Sequence, residues 1–319
     1  MIYQGECLNV LKTLKTNSID CCVTSPPYWG LRDYGDKNQI GLEPSPAEFV
    51  EKLVLIFQEV KRVLKNNGTL WLNLGDSYAA GTKGTGGKNS PKHKVKGELN
   101  FQEFSSGTRK FNLAELGLKS KDLVGIPWRV AFALQRDGWF LRQDIIWAKK
   151  NPMPESVKDR FTKSHEHVFL LSKNKSYYFD YKSVQEPALQ SSVERTKRPW
   201  SGNKERGMLK GFSPHSFKYY GHGSSHMRRK RDVWFLTSEP FKGAHFATFP
   251  TKLIEPCILA GCPEGGVVLD PFFGAGTTGY VAKKLNRQYI GIEINQDYIE
   301  IAKKRIERVP LFPAPWRTA

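Results

Sequence analysis

The chain has 319 residues, 39% of them hydrophobic, which is enough for one large α/β domain with insertions. Its 49 Lys and Arg against 31 acidic residues give a formal charge of +18. A surplus of that size points to a polyanionic partner, because neutralising phosphates releases condensed counterions. No apolar run approaches the roughly 18 residues of a membrane span and no basic-then-apolar leader opens the sequence. Cys7, Cys21, Cys22, Cys257 and Cys262 have neither CxxC nor zinc spacing, so reduced thiols of a cytoplasmic protein are expected.

In chain order, Ile19–Thr24 reads as a short apolar strand. Ser45-Pro46-Ala47-Glu48 is a capping box with proline at the first helical position, and Phe49, Leu53, Ile56, Val60 and Val63 follow at helical spacing until Gly68. Thr69–Leu74 is the next strand. Residues 79–122, with nine Lys or Arg and four acids among many glycines, read as a basic insertion. Regular structure returns with a helix over Pro127–Asp137, ended by Gly138, and strands over Trp139–Trp147, Glu166–Leu171 and Tyr177–Asp180. Residues 185–232 form a second basic stretch, with eleven Lys or Arg, four acids and three His. Then come a helix (Thr251–Ala260), a strand (Val267–Asp270), a helix (Gly276–Leu285), a strand (Gln288–Glu293) and a last helix (Gln296–Arg308). This alternation predicts a largely parallel sheet. The organisation expected is a core in three pieces, 1–78, 123–184 and 233–319, interrupted by the two basic insertions.

Two segments carry chemistry. Asp270-Pro271-Phe272-Phe273-Gly274-Ala275-Gly276-Thr277-Thr278-Gly279 follows a strand and opens a helix, and its glycines permit a tight turn and close backbone approach to a ligand. Glu293, at the end of the next strand, is placed to accept hydrogen bonds from ribose hydroxyls. An adenosine-containing cofactor follows, and this segment alone leaves a dinucleotide and S-adenosylmethionine both open. Near the other end, Ser25-Pro26-Pro27-Tyr28 follows a strand directly. Two prolines stiffen the backbone and remove N–H donors while keeping carbonyl acceptors. Such a turn can offer the Ser25 oxygen and the Pro26 carbonyl to an amino group, and the Tyr28 ring to a planar base. Accepting both N–H bonds of an exocyclic amino group makes its nitrogen a better nucleophile, and acceptors fixed in advance act where charge develops.

These two segments resemble the motifs of the amino-methyltransferases of bacterial restriction–modification systems and phages. Ser25-Pro26-Pro27-Tyr28 is similar to that family's catalytic motif, and Asp270–Thr278 to its S-adenosylmethionine motif. The catalytic motif precedes the cofactor motif, as in the β group. The resemblance implies a permuted S-adenosylmethionine-dependent methyltransferase fold, α/β, with a mixed, mostly parallel seven-stranded sheet, helices on both faces, and basic target-recognition insertions. It implies cofactor binding by Glu6, Cys7, Phe246, Asp270, Pro271, Phe272, Gly274, Gly276, Thr277, Thr278 and Glu293. Glu6 stands where the family has Asp for the cofactor adenine. Phe57–Gly75 resembles a core motif, Asp144–Lys149 with Pro152 the base-pocket strand and loop, and Lys242–Pro250 the segment beside the cofactor methionine. No metal is implied.

The partner expected is double-stranded DNA, with a flipped target base. Arg195, Lys197, Arg198, Arg206, Arg228, Arg229 and Arg231 are the candidate DNA contacts, and Trp200, Phe212, Tyr219 and Tyr220 are candidates either to fill the vacated stack or to form local core. A cognate restriction endonuclease and a homodimer are compatible with the resemblance. By the same resemblance, Ser at the first catalytic position favours cytosine N4, with adenine N6 as the alternative. RNA methylation, a non-catalytic nucleic-acid-binding protein and a nicotinamide enzyme are further alternatives, and the last leaves the proline turn and the charge unexplained. His165-Glu166-His167 places its histidines on one face of a strand and the acid on the other, and no third metal ligand is evident. Pro256-Cys257-Ile258 lacks the Pro-Cys-Gln setting of a cytosine-C5 nucleophile.

Overall fold

A computed structural model describes residues 1–31, 39–79, 116–197, 227–239 and 249–309. The elements are β1 (Ile2–Gln4), α1 (Cys7–Thr13), β2 (Ile19–Thr24), α2 (Pro46–Val63), β3 (Leu64–Leu74), α3 (Ile126–Arg136), β4 (Phe140–Lys149), β5 (His165–Ser172), β6 (Glu186–Pro187), α4 (Gln190–Lys197), β7 (Met227–Arg228), β8 (Val233–Leu236), α5 (Thr251–Gly261), β9 (Val267–Asp270), α6 (Thr277–Lys284), β10 (Gln288–Glu293) and α7 (Gln296–Glu307). Residues 1–179 with 232–319 form one unit and residues 180–231 a second.

The first unit carries an eight-stranded sheet in the order β1-β10-β9-β2-β3-β5-β4-β8. Only β5 runs antiparallel to its neighbours β3 and β4. The resemblance implied seven strands. Val233–Leu236 pairs parallel with Ile146–Lys149 at the edge and contributes to the larger count. Side chains alternate across the sheet: Cys22, Leu70 and Leu72 join the buried residues of α1, α2 and α3 on one face. Helix α5 packs on β2 and β3, and α6 and α7 pack on β10. Burial on both faces explains why β2 is buried at all six positions.

Local signals set most boundaries. Ser45 Oγ accepts from Glu48 N at 3.1 Å and Pro46 begins α2. That helix stops at Val63, five residues before Gly68, because Leu64 turns extended (ψ 139°) and pairs with Ile19. Tyr177–Asp180 is not a strand. Tyr178 N donates to Asn67 O, while the neighbouring Phe179 ring packs on Trp71 with centroids 6.2 Å apart. The short β1, α1 and β8 carry too few residues for a periodic signal.

The second unit contains the ribbon β6–β7, pairing Glu186 with Arg228, and the helix α4. Its bounds run close to the 185–232 stretch of high basic content.

Candidate active site

Strand β2 leads through α2 to β3, and β9 leads through α6 to β10, so the two connections depart in opposite directions across the sheet. The carboxyl ends of β2 and β9 are therefore left side by side at a topological switch point, where open α/β sheets form their ligand crevice. Cys21 and Cys22 pair with Val268 and Leu269. Two residues further on, Thr24 Oγ1 donates to Asp270 Oδ1 at 2.6 Å. The proline corner and the glycine corner, 246 residues apart in sequence, thus meet through a side-chain hydrogen bond.

Asp270 is a latch rather than an exposed acceptor. It is 1% exposed and also accepts from Phe272 N at 3.1 Å and Thr278 Oγ1 at 2.6 Å. Burial pushes its carboxyl up to about 6, against the pull of the Thr24, Thr278 and Phe272 hydrogen bonds. Thr278 is fully buried, and Thr277 accepts from Arg305 Nη1 at 2.7 Å, so both threonine hydroxyls are engaged inside the fold. Pro271 is buried, whereas Phe272 and Gly274 are half-exposed.

Gly276 has φ +74°, and a Cβ there would lie 2.7 Å from the Ala302 Cβ of α7. This glycine therefore serves helix packing. Gly274, with φ +49°, donates its N–H to Glu293 Oε2 at 2.7 Å. Glu293 Oε1 accepts from Asn295 N at 2.9 Å, and burial holds this carboxyl above its ordinary value. Beside it, β1 pairs with β10 in register Gln4↔Glu293, which brings Glu6 and Cys7 to the same edge of the sheet. Glu6 caps α1, accepting from Leu8 N at 2.9 Å and Asn9 N at 2.8 Å. Cys7 is buried, and burial raises its thiol well above the ordinary range.

On the other side of the crevice, Ser25 and Tyr28 are half-exposed. Tyr28 donates its hydroxyl to Glu166 Oε2 at 2.5 Å. Asn73 Nδ2 lies 2.9 Å from the Tyr28 hydroxyl, 3.0 Å from Glu166 Oε2 and 3.3 Å from Ser25 Oγ. Lys149 Nζ donates to Glu166 Oε1 at 2.5 Å and lies 4.7 Å from the centroid of the Trp147 ring. Burial opposes the Glu166 charge, but Lys149, Tyr28 and Asn73 together outweigh it and hold the carboxyl below the usual range. The Tyr28 ring lies against Gly75, where a Cβ would come within 2.6 Å of Cε2. Ring and hydroxyl are both fixed before any substrate arrives.

Sequence reasoning missed Thr24 and Asn73, and considered Glu166 only as a metal ligand. Buried polar residues in apolar strands were the available signal, since such groups need partners. His165 and His167 do share a face, with ring centroids 5.3 Å apart, while Glu166 faces the tyrosine. Phe246 and most of Lys242–Pro250 lie outside the described residues, as do Arg198, Arg206, Trp200, Phe212, Tyr219 and Tyr220. Arg195 and Lys197 sit on α4, with side chains outside the described set. Arg228 and Arg231 both bind Glu186 Oε1, at 3.0 and 3.3 Å, and the Arg229 guanidinium lies 5.2 Å from the Tyr181 ring centroid.

Known proteins resemble this chain along most of its length. A family model described as DNA methylase, of the N6/N4 methyltransferase type, matches residues 19–304. The Type II methyltransferase M.Cfr9I of Citrobacter freundii is 47% identical over 308 residues, covering 96% of this chain and 87% of that protein. M.SmaI of Serratia marcescens is 44% identical over 307 residues, covering 96% and 90%. Among solved structures, the cytosine-N4-specific PvuII DNA methyltransferase superposes with a TM-score of 0.62 at 19% identity, covering 96% of this chain and 85% of that one. A putative DNA modification methylase of Thermus thermophilus, complexed with S-adenosyl-L-methionine, gives a TM-score of 0.59 at 22% identity, covering 98% and 95%. By the extent of the family match and the identity to these relatives, the chain belongs to the N6/N4 DNA methylase family.

Proposed function

We propose that the protein moves a methyl group from S-adenosylmethionine to the exocyclic amino group of a base flipped out of duplex DNA, with cytosine N4 as the preferred target. The Thr24–Asp270 bond carries the reading, because it fixes a base-handling corner beside a nucleoside-handling corner.

The residues at the glycine corner suit this cofactor. The Gly274 N–H, the kind of donor a pyrophosphate would need, is already given to the Glu293 carboxylate. A phosphate would meet that negative charge, whereas a phosphate-free adenosine with a cationic sulfonium would not. Glu6, Phe272, Gly274 and Glu293 are the residues proposed to hold it. When bound, S-adenosylmethionine supplies an electrophilic methyl carbon. Ser25 Oγ, supported by the Asn73 amide, and the Pro26 carbonyl accept from the target amino group, and the Tyr28 ring holds the base in plane. Aligning nitrogen and methyl in this way contributes roughly 7 kcal/mol or more.

The resemblance of Ser25–Tyr28 to the catalytic motif, with Ser in its first position, supports cytosine N4 over adenine N6. The same reading is compatible with a cytoplasmic location, a cognate restriction endonuclease and a homodimer. Among the described residues no helix is long and apolar enough to cross a membrane.

The test is incubation with methyl-labelled S-adenosylmethionine and unmodified plasmid DNA, with RNA in parallel, followed by mass spectrometry of the nucleosides. The expected product is N4-methylcytosine in DNA. N6-methyladenine would reverse the base assignment, and label confined to RNA, or absent, would end the reading.

A further inference from the structure

The loop between β4 and β5, residues 150–164, rises from the edge of the sheet that holds the catalytic corner. Lys149 N donates to Ser164 O at 2.7 Å and closes its base, while the flanking Lys149 and Glu166 side chains belong to the Tyr28 cluster. The loop is braced at several points. Arg160 Nη1 donates to Glu155 Oε2 at 2.6 Å, and Lys163 N donates to the same oxygen at 3.1 Å. The Arg160 guanidinium lies 3.8 Å from the Tyr78 ring centroid, and Lys121 pairs with Asp159 at 2.5 Å. Lys163 Nζ donates to Asp76 O, and Asn151 Oδ1 accepts from Ser238 N at 2.8 Å.

This well-anchored loop nonetheless holds Phe161 97% exposed and Met153 82% exposed. The bracing holds both apolar side chains outward on an anchored loop. The surroundings are basic. Glu155 and Asp159 are paired within unit 1, whereas Lys150 and Lys158 are exposed.

We propose that Phe161 is the wedge that enters the base stack when the target base leaves it. The inference rests on the methyl-transfer reading above, because a base must be extruded for Tyr28 to hold it. The chemistry fits duplex DNA: apolar side chains inserted between base steps, with cations on the adjacent phosphates, are how proteins hold a stack open. A ring also occupies the vacated space at low conformational cost. The wedge thus stands on the loop whose two ends carry the Lys149 and Glu166 of the Tyr28 cluster, outside both basic insertions.

The test uses the full-length protein and duplexes built on the sequence found modified in plasmid DNA. One duplex is intact, and the other carries an abasic site opposite the target base. Phe161→Ala should lower kcat/KM on the intact duplex by about tenfold to a hundredfold, the range of a lost base–aromatic stack. On the abasic duplex, whose target has no pairing partner, it should be close to wild type. Phe161→Trp should retain activity on both. Equal losses on the two duplexes, or no loss on either, would overturn the proposal. So would a variant that methylates normally but has lost self-association in sedimentation, since Phe161 would then face a second copy. Wild-type protein unable to methylate plasmid DNA would instead sink the parent reading.

Discussion

Replacing Tyr28 by Phe keeps the ring and removes only the hydroxyl that joins Glu166 and Asn73. Glu166 is 8% exposed, so water does not readily replace the lost donor. A hydrogen bond to a charged, buried acceptor is worth about 1.5–3 kcal/mol. For a chain of this length, 2 kcal/mol lowers the melting temperature by roughly 3 °C. The catalytic consequence is separate. A ring resting on Gly75 without its hydroxyl anchor is free to slide, and a misplacement of about 1 Å can cost 10²-fold in rate. Turnover should therefore fall about tenfold or more while S-adenosylmethionine affinity by calorimetry is unchanged. A double-mutant cycle with Glu166→Gln separates the two effects. The pair should couple by about 1–3 kcal/mol in thermal stability, and kcat of the double variant should be little worse than that of either single one. Additive losses, or a Tyr28→Phe enzyme with wild-type turnover, would refute the clamp.

Tyr28→Ala removes the ring as well, so turnover should vanish with cofactor binding intact. Residual activity near wild type in the labelled-methyl assay would exclude a stacking role. Gly276→Ala should lower the melting temperature by several degrees, because the new Cβ meets Ala302 and a left-handed φ strains any other residue by about 1–2 kcal/mol. Adding Ala302→Gly should restore part of the loss, and no restoration would mean the contact is not the cause. Asp270 titrates near 6, above the unfolded range near 3.9, so its contribution to stability is full below about pH 4 and is lost as pH rises through 6. Relative to Asp270→Asn, the wild type should therefore gain about 1.3 kcal/mol of stability on going from pH 7 to 5, with the rest of the shift recovered only below pH 5. A difference in melting temperature that stays flat with pH would remove the latch from the pH dependence. Glu166 works in the opposite direction: its depressed carboxyl stabilises above its unfolded value and ceases to do so as pH falls through the folded one, so acid should loosen the Tyr28 cluster.

Much of this was legible in the chain alone. The capping box at Ser45, the glycine and proline corners and the apolar strands leading into them are local, so neighbours in sequence decided them. The surplus of cations indicated a polyanion for the same reason: charge is a property of composition. The order of the two motifs is written in the chain, and the resemblance turned that order into the expected sheet. What sequence alone did not decide is which polar groups are free to act. Asp270, Thr277 and Thr278 look like ligand-binding residues when read along the chain, yet their partners are Thr24 on a distant strand, Thr278 and Arg305. Gly276, a cofactor glycine by resemblance, also has α7 packed against it, which the chain alone does not show. Asn73, Lys149 and Glu166 come from three strands and become one site only because β3, β5 and β4 are neighbours in the sheet. Hydrogen bonds between strands that follow one another in space rather than in sequence have no periodicity to betray them, so only the tertiary structure could assign those side chains to the proline corner.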